Sequence, residues 1–356
     1  MLRRALLVLV LVLAALVLPA ATRAAVPRGW VGVMADGELL EQPKLLDPEL
    51  GRMSSVGVSS LRATLRWNLT VRCAKCRPDF RRFDRIVLGT ARRRISVLPV
   101  VLGAPAYLAE NPDDEVALPR DAADLGAFLR LAVRRYGPDG VLWQQHPEVI
   151  PVPIRTWQVW NEPDHELYMP HTQNWPARYV ELLKAAAQGI RAEDTGAKVM
   201  LAGFAGQAWI HLDWVYRNGA RPWFDVAAVH PYTRDVADVV RIVRYMRDTM
   251  RRWGDARKPV ALTELGWTGA RGHTRLPSWC SFCLTEPQAA SSLRKVLPLL
   301  ARERRRLVIS GVYVYTWISA YQHGLWDYAG LRVYRRGRVT SAPSYFAFLA
   351  ALRSLR

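Results

Sequence analysis

Residues 156–163 read Thr-Trp-Gln-Val-Trp-Asn-Glu-Pro, a short apolar run that ends in an amide, a carboxylate and a proline. β-Branched and aromatic side chains are typical of a strand, and the scarcity of polar residues predicts that both of its faces are covered. The carboxyl ends of parallel strands meet at one edge of a barrel or sheet, where ligands bind. The stretch therefore predicts a buried parallel strand that delivers Asn161 and Glu162 to a functional edge.

Seven further runs of similar composition lie on both sides of this stretch, and each is typical of a strand. They are found at residues 30–33, 59–67, 96–102, 198–203, 224–230, 260–265 and 311–317. Apolar residues at helical spacing lie between them. Asp121 is typical of a helix N-cap and Gly137 of the end of that helix, while Thr285 and Gln288 form a capping-box pattern before another helix.

This alternation of strands and helices favours an α/β fold, a single (β/α)8 TIM barrel, over a doubly wound sheet. No GxGxxG or Walker-type loop follows any of the strand-like runs, which argues further against a nucleotide-binding sheet. The sequence has no internal repeat and no low-complexity linker. We therefore expect one domain, formed by residues 25–356.

The first 24 residues have the order of a secretory signal peptide. Arg3 and Arg4 precede an unbroken apolar run at residues 5–19, and small residues surround the expected cleavage point after Ala24. A retained membrane anchor is the alternative, although the run is shorter than the roughly 20 residues that span a bilayer. We expect an exported protein, either secreted or associated with the cell envelope.

The charge of the chain favours anionic partners. The 356 residues carry a formal charge of +19, and half of them are apolar. Nucleic acid, acidic polysaccharide and phosphate-bearing envelope polymers would all suit such a charge. However, the arginines are scattered as on ordinary solvated helix faces, and export argues against nucleic acid. We expect no nucleic-acid partner and leave open an electrostatic association with an anionic cell envelope.

The four cysteines form two Cys-x-x-Cys pairs, Cys73 with Cys76 and Cys280 with Cys283. Two such pairs can bind zinc, but here they fall in separate loops that are more than 200 residues apart. In an oxidising compartment disulfides are favoured over a zinc site. We predict that the cysteines form disulfides, although the sequence does not show which cysteine pairs with which. We expect neither a metal nor an organic cofactor.

Polar and aromatic side chains stand on or just after the predicted strands. They are Arg62, Asn161, Glu162, His230, Tyr232, Glu264, Trp267 and Trp317. Carboxylates suit the glycosidic bond, polar groups suit sugar hydroxyls, and indole rings suit the faces of a pyranose. The set therefore predicts a carbohydrate site at the carboxyl end of the barrel.

The run at residues 160–163, with Thr-Glu-Leu-Gly at residues 263–266, resembles a clan of barrel glycosidases. In that clan the catalytic glutamates end strands four and seven, and its members include cellulases, β-xylosidases and exopolysaccharide hydrolases, as in glycoside hydrolase families 5 and 39. The resemblance covers nearly the whole chain after residue 24. Five landmarks appear in order: the arginine, the Asn-Glu pair, the His-Pro-Tyr run, the second glutamate and the final tryptophan.

The resemblance implies a role for each matching residue. Glu162 would be the acid/base and Glu264 the nucleophile of a retaining mechanism, and Asn161 would bind the 2-hydroxyl of the sugar. Arg62 and Tyr232 would keep the Glu264 carboxylate ionised and oriented towards the anomeric carbon. Trp317 would form the floor of the sugar pocket. Apart from the resemblance, we expect His230 and Trp267 to contact the substrate, Trp267 as a platform for a sugar ring.

The sequence thus predicts a secreted, monomeric hydrolase that cleaves a β-linked oligo- or polysaccharide by double displacement. Two alternatives use the same residues. One is a glycan-binding envelope protein that has lost catalysis, although a pure binder needs no matched acid and nucleophile. The other is a transglycosidase, which passes the glycosyl group to a sugar instead of water.

Overall fold

Eight parallel strands close into a barrel in the computed structural model, which describes residues 25–170, 174–320 and 324–355. Each strand pairs with the next in the chain, and β8 pairs with β1. The prediction of a (β/α)8 TIM barrel is confirmed. The strands are β1 Val31–Met34, β2 Ser60–Arg66, β3 Ser96–Leu102, β4 Thr156–Val159, β5 Lys198–Phe204, β6 Val226–Val229, β7 Val260–Leu265 and β8 Ile309–Val314.

Helices surround the barrel. They are α1 Glu38–Glu41, α2 Pro43–Ser55, α3 Trp67–Thr70, α4 Arg81–Ala91, α5 Ala122–Tyr136, α6 Val141–Gln145, α7 Trp175–Glu193, α8 Ala208–Arg217, α9 Val236–Arg252, α10 Glu286–Glu303 and α11 Pro343–Arg353. Both predicted helix starts are confirmed. The Asp121 carboxylate accepts the backbone N–H of Ala123 at 2.8 Å, and Thr285 with Gln288 forms a capping box at the start of α10.

The interior of the barrel is filled by side chains. Six of them form a separate buried cluster: Leu98, Met200, Val226, Ala228, Ala261 and Tyr313. The hydroxyl of Tyr313 lies 2.9 Å from that of Ser60, so the one polar group of the cluster is paired. Above this apolar layer, towards the carboxyl ends of the strands, the inward-facing residues become polar, which places the site there.

A small sheet and α11 follow the barrel. Strand β9 Ile318–Ala320 pairs in parallel with β10 Arg332–Arg335, which forms an antiparallel hairpin with β11 Arg338–Ser341. The hairpin is tied to α2 by a buried ion pair between Arg332 and Glu49, with an Nε to Oε2 distance of 3.1 Å. Removing one partner of such a pair leaves a buried charge and costs about 3–5 kcal/mol.

Both cysteine pairs form disulfides. Cys73 bonds to Cys76 in the segment after α3, and Cys280 bonds to Cys283 in the segment between β7 and α10. Each bond thus closes a ring within one Cys-x-x-Cys pair, which resolves the connectivity that the sequence left open. The predicted signal peptide, residues 1–24, lies outside the described residues. Among the described helices, none is long and apolar enough to cross a membrane.

Candidate active site

Two glutamates face each other at the carboxyl end of the barrel. Glu162 lies just after β4, and Glu264 lies near the end of β7. A carboxylate oxygen of Glu162 lies within 4.8 Å of one of Glu264. Both side chains are largely buried, with exposed fractions of 15% and 8%. The fold thus brings together two carboxylates that are about one hundred residues apart in the chain.

The backbone that carries Glu162 is strained. Trp160 has φ 70° and Glu162 has φ 35°, in the left-handed region that non-glycine residues rarely adopt. The Trp160 side chain is fully buried, and its indole N–H donates to the Tyr168 carbonyl at 2.8 Å. Such strain persists where the surrounding structure imposes it, and it is frequent at functional sites. Strand β4 therefore ends at Val159, because the chain turns at Trp160.

Glu264 is held by two donors. The Arg62 guanidinium donates to Oε1 at 2.8 Å, and the Tyr232 hydroxyl donates to Oε2 at 2.7 Å. Burial alone would raise the pKa of Glu264, but the charges of His230 and Arg62 and the two hydrogen bonds outweigh it and hold that pKa below its ordinary value. The carboxylate is therefore ionised and has a fixed orientation.

Arg62 is fully buried and connects three side chains. Besides Glu264, it donates from Nε to Gln158 and from Nη2 to Asn161, each at 2.8 Å. The planar guanidinium offers donors in a fixed geometry, so these partners are held in one relative arrangement. Because the Asn161 oxygen accepts from Arg62, its amide N–H2 is directed away from the guanidinium.

Glu162 has a different environment. Its Oε1 lies 2.6 Å from His230 Nδ1, and His230 Nε2 lies 3.0 Å from the Thr263 hydroxyl. Burial raises the pKa of Glu162 above its ordinary value, and although the contact with His230 lowers it, the charges of Glu264 and Asp164 add to the rise. The two facing carboxyls thus have pKa values shifted in opposite directions, as an acid and a nucleophile require.

The His230 ring lies under the two carboxyls and is fully buried. The ring fits in this position because residue 203 is a glycine: a Cβ added at Gly203 would lie 1.9 Å from Nε2. His230 Nδ1 is also 3.7 Å from Glu264 Oε2, so the imidazole lies between both glutamates. This placement suits a positioning residue better than a direct contact with substrate.

Among the described residues, Glu162, His230 and Glu264 also form a group with the donor types of a metal site. However, the Arg62 guanidinium contacts Glu264 directly, and its positive charge opposes a cation there. His230 Nδ1 and Glu162 are already in hydrogen-bonding contact. The surroundings therefore suit proton transfer better than metal binding, and the absence of a metal stays a prediction.

A third carboxyl, Asp36, was missed by the sequence analysis. It follows β1 and accepts from the backbone N–H and the hydroxyl of Thr64, at 3.0 Å and 2.6 Å. Burial raises its pKa, and the negative charge of Glu264 adds to that rise, whereas Thr64 and Arg62 oppose it. Its position in the sequence could have identified it, because Asp36 lies three residues after the predicted end of the first strand at Val33 and polar residues after strands indicate the site.

Asp36 and Tyr315 line a cavity of about 330 Å³ at the β1 and β8 end of the site. Tyr315 follows β8, and burial together with the charges of Glu264 and Asp36 raises its pKa, so its hydroxyl remains a donor. Trp326 lies in the same wall. The volume is at the lower end of the range for small-molecule sites, about 300–1,000 Å³.

Both tryptophans that were expected to bind the sugar are packed inside the protein. Trp267 is buried, and its indole N–H donates to the carbonyls of Thr233 and Arg234 at 2.7 Å and 3.1 Å. Trp317 is fully buried and donates to Glu49 at 2.8 Å. Neither ring offers a face to the cleft. The eighth strand was expected to end at Trp317, but β8 ends at Val314, so Tyr315 takes the position in the site.

No protein-family model and no curated protein sequence matches the chain. Solved structures do match it. A monomeric β-xylosidase from Caulobacter crescentus CB15 superposes with a TM-score of 0.65 at 18% identity, over 91% of this chain and 68% of that one. A family 39 glycoside hydrolase from Bacteroides cellulosilyticus WH2 has a TM-score of 0.64 at 18% identity, over 91% and 64%.

A third structure is the GH53 catalytic domain of Ignisphaera aggregans, with a TM-score of 0.62 at 17% identity, over 94% of this chain and 98% of that one. The chain spans about two thirds of the first two structures and nearly all of the third. At these identities the likeness concerns the fold. The chain is therefore similar in architecture to barrel glycoside hydrolases.

Proposed function

We propose that the chain is a secreted retaining β-glycosidase with Glu162 as acid/base and Glu264 as nucleophile. The observation that carries the proposal is the pair of carboxyls within 4.8 Å of each other, with their pKa values shifted in opposite directions. Retaining enzymes hold their two carboxyls about 5–5.5 Å apart, whereas inverting enzymes need about 6.5–9.5 Å to admit a water between them. The short distance between the two carboxylates found here supports the retaining arrangement.

In the first step the Glu264 carboxylate attacks the anomeric carbon, and the bond from that carbon to the leaving oxygen breaks. Glu162 gives its proton to this oxygen, so the alcohol leaves neutral. Glu264 loses its charge in the glycosyl-enzyme. Because the negative charge of Glu264 raises the pKa of Glu162, this loss makes Glu162 a stronger acid at the moment when it must ionise.

In the second step the Glu162 carboxylate accepts a proton from water, whose oxygen attacks the anomeric carbon. The bond to Glu264 breaks, and the carboxylate is restored with its hydrogen bonds from Arg62 and Tyr232. Two inversions give net retention. His230 keeps Glu162 in place through both steps, since Nδ1 stays within hydrogen-bonding reach of Oε1.

The substrate is inferred from the polar groups around the pair. With the Asn161 oxygen held by Arg62, the amide N–H2 can donate to the 2-hydroxyl of the sugar, an interaction that strengthens in the transition state. Asp36 and the Tyr315 hydroxyl supply an acceptor and a donor for further hydroxyls. We propose a β-linked oligo- or polysaccharide as substrate, and the β-xylosidase among the structural neighbours makes β-xylosides the first candidates.

The proposal is tested with the mature protein and a panel of aryl β-glycosides and β-linked polysaccharides, with product anomers followed by NMR. Initial release of the β-anomer from any substrate is the expected result, and it identifies the sugar as well. Initial release of the α-anomer contradicts a retaining mechanism. If no substrate is cleaved, labelling of Glu264 by a mechanism-based 2-fluoro glycoside separates a glycosidase of untested specificity from a binding protein, because a binding protein forms no covalent adduct.

Glu162→Ala provides a second test of the assignment. We expect turnover of substrates with poor leaving groups to fall about 10²- to 10⁴-fold, the usual contribution of a general acid. Azide should partly restore turnover of activated glycosides and yield the β-glycosyl azide. An α-glycosyl azide would assign Glu162 the nucleophile's role instead. Adding sugar acceptors to the unsubstituted protein distinguishes hydrolysis from transglycosylation by the products, because Glu162 is then present to activate either acceptor.

A further inference from the structure

Four aromatic rings form a continuous row from the nucleophile to the protein surface. Tyr232, which donates to Glu264, packs against Phe282 and Trp326 with ring centroids 4.8 Å and 5.2 Å away. Phe282 and Trp326 stack at 5.3 Å. Trp279 continues the row at 6.3 Å from Phe282. The row therefore starts at the candidate catalytic pair and extends outward over the loops after β7 and β8.

The outer rings of this row are exposed. Trp279 is 64% exposed and Trp326 is 37% exposed, whereas Phe282 between them is 7% exposed. Burial of such large aromatic side chains against a ligand is favourable, and contiguous exposed apolar surface can mark a binding site. Phe282 supports the two exposed rings from below.

The disulfide ring Cys280–Cys283 fixes this row in place. Phe282 lies inside the ring and Trp279 directly precedes it. The ring is held to the first part of the segment after β7, since the Cys283 carbonyl accepts from the Arg271 guanidinium at 3.0 Å and Cys283 forms a bridge with Thr268. Conformational freedom of Phe282 and Trp279 is thereby reduced before any ligand binds, which lowers the entropic cost of binding.

The cavity lined by Asp36, Tyr315 and Trp326 is small in comparison with a glycan chain. Its volume of about 330 Å³ is at the lower limit for a ligand site, and Trp326 forms both its wall and the first exposed ring of the row. Tyr232, which donates to Glu264, packs against Phe282 and Trp326, so the rings lead outward from the position that a sugar at Glu264 would take. The flat faces of indole rings are suited to the C–H faces of pyranoses.

We propose that Trp326, Phe282 and Trp279 form a platform for sugar units beyond the one that is cleaved, with Trp279 presented by the Cys280–Cys283 ring. This inference rests on the proposed glycosidase function and specifies its substrate class: a β-linked chain of several sugar units in preference to a single glycoside. The platform is built on a segment that the family resemblance does not account for.

The experiment compares kcat/KM for two kinds of substrate. One is the aryl β-monoglycoside that the protein hydrolyses, and the other is a β-1,4-linked hexasaccharide of xylose, glucose, mannose or galactose. In Trp279→Ala we expect kcat/KM for the hexasaccharide to fall roughly fivefold to tenfold, mostly through KM, and to fall far less for the monoglycoside. Phe346→Ala is the matched control, because Phe346 is an aromatic residue of similar exposure, 62%, on α11.

The role of the disulfide ring is tested by the double variant C280S/C283S, with C73S/C76S as the control that removes an equivalent ring after α3. The first variant should reduce hexasaccharide turnover in the same direction as Trp279→Ala, and the second should match the parent. Equal effects of both ring variants, or an equal loss on both substrates in Trp279→Ala, would overturn the platform while leaving the glycosidase function intact.

If the parent protein hydrolyses neither substrate, the covalent labelling of Glu264 decides the proposed function, and quenching of tryptophan fluorescence by the hexasaccharides tests the platform separately. Quenching by one of the four hexasaccharides in the parent, but not in Trp279→Ala, would support the platform as a glycan-binding surface. Absence of quenching by all four would overturn it.

Discussion

Arg62 shows how a single residue organises the chemistry of the site. Its fully buried guanidinium donates to the nucleophile candidate, to Asn161 and to Gln158, each at 2.8 Å. The charge lowers the pKa of Glu264, and the geometry holds the amide that would bind the sugar. Lysine could not replace it, because an ammonium group is a point charge without a planar set of donors.

The second donor to Glu264 can be removed with less disturbance. In Tyr232→Phe the hydrogen bond that lowers the pKa of Glu264 is lost, so that pKa should rise. Glu264 must be ionised to attack, and the acid limb of the kcat/KM profile should therefore move to higher pH. Its basic limb, which follows ionisation of Glu162, should move little.

We expect kcat/KM at the optimum of Tyr232→Phe to fall about tenfold or more, as for loss of a hydrogen bond to a charged group. The measurement is the pH dependence of kcat/KM on an aryl β-glycoside. Tyr245→Phe is the control, since Tyr245 is exposed on α9. An acid limb that stays in place would mean that Tyr232 does not control the ionisation of Glu264.

At the level of elements, the site depends on how closely β5 and β6 approach. His230 follows β6 and reaches under Glu162 only because Gly203, in β5, has no side chain. Residues 198–203 were predicted as a strand from their apolar character, but nothing in that pattern indicates which residue must be small. The reason is a contact between two strands, which periodicity along one strand does not encode.

Gly203→Ala should therefore displace the His230 ring. Forcing a methyl group into this contact is expected to cost about 1–3 kcal/mol of unfolding free energy. It should also lower kcat, because Glu162 loses its support. Denaturant unfolding and kcat on an aryl β-glycoside give the two values.

Gly311→Ala is the matched control in the same barrel, since an added Cβ there would have only ordinary contacts at 3.6 Å and beyond. We expect it to remain close to the parent in both measurements. If Gly203→Ala matched the control in kcat while losing stability, His230 would have a structural role only.

At the level of the whole molecule, the described chain is held together by strand pairing, by packing of helices and the hairpin, and by two disulfides. The barrel closes through the β1 and β8 pairing, α11 and the hairpin pack beside α10 and α2, and both cysteine pairs form disulfides. In the described part of the chain, many of the arginines form ion pairs, such as Arg130 with Glu193. Such exposed pairs contribute little to stability, typically below about 1 kcal/mol.

Treatment with EDTA should accordingly leave both the fold and the activity unchanged. Circular dichroism during thermal unfolding reports the fold, and aryl β-glycoside turnover reports the site. Loss of structure would indicate zinc bound by the cysteines in place of disulfides. Loss of activity with an intact fold would point to a cation between Glu162, His230 and Glu264, the group whose donor atoms lie within 4.8 Å of one another.

The barrel and the main site residues could be predicted from the sequence. Continuous apolar runs and their spacing indicate parallel strands, and polar residues at strand ends indicate which edge carries the site. Asn161, Glu162 and Glu264 were singled out because they lie at or near the ends of apolar runs, and the family resemblance supplied their expected roles. The family resemblance also indicated that Arg62 and Tyr232 hold Glu264. The contacts of Arg62 with Gln158 and of His230 with Glu162 required the closed barrel, because these partners lie on or just after different strands, 96 and 68 residues apart in the chain.

Only the tertiary structure decided which aromatic residues face the cleft. Trp267 and Trp317 follow strands as a sugar-binding residue would, yet both rings are packed inside, whereas Tyr315 and Trp326 line the cavity. The direction of a side chain depends on the residue at which the strand ends and on the turn that the chain makes there. Those turns are set by packing between elements far apart in sequence, such as Trp317 against Glu49. The local sequence pattern determines that a strand forms, whereas contacts across the barrel determine which side chains at its end face the cleft.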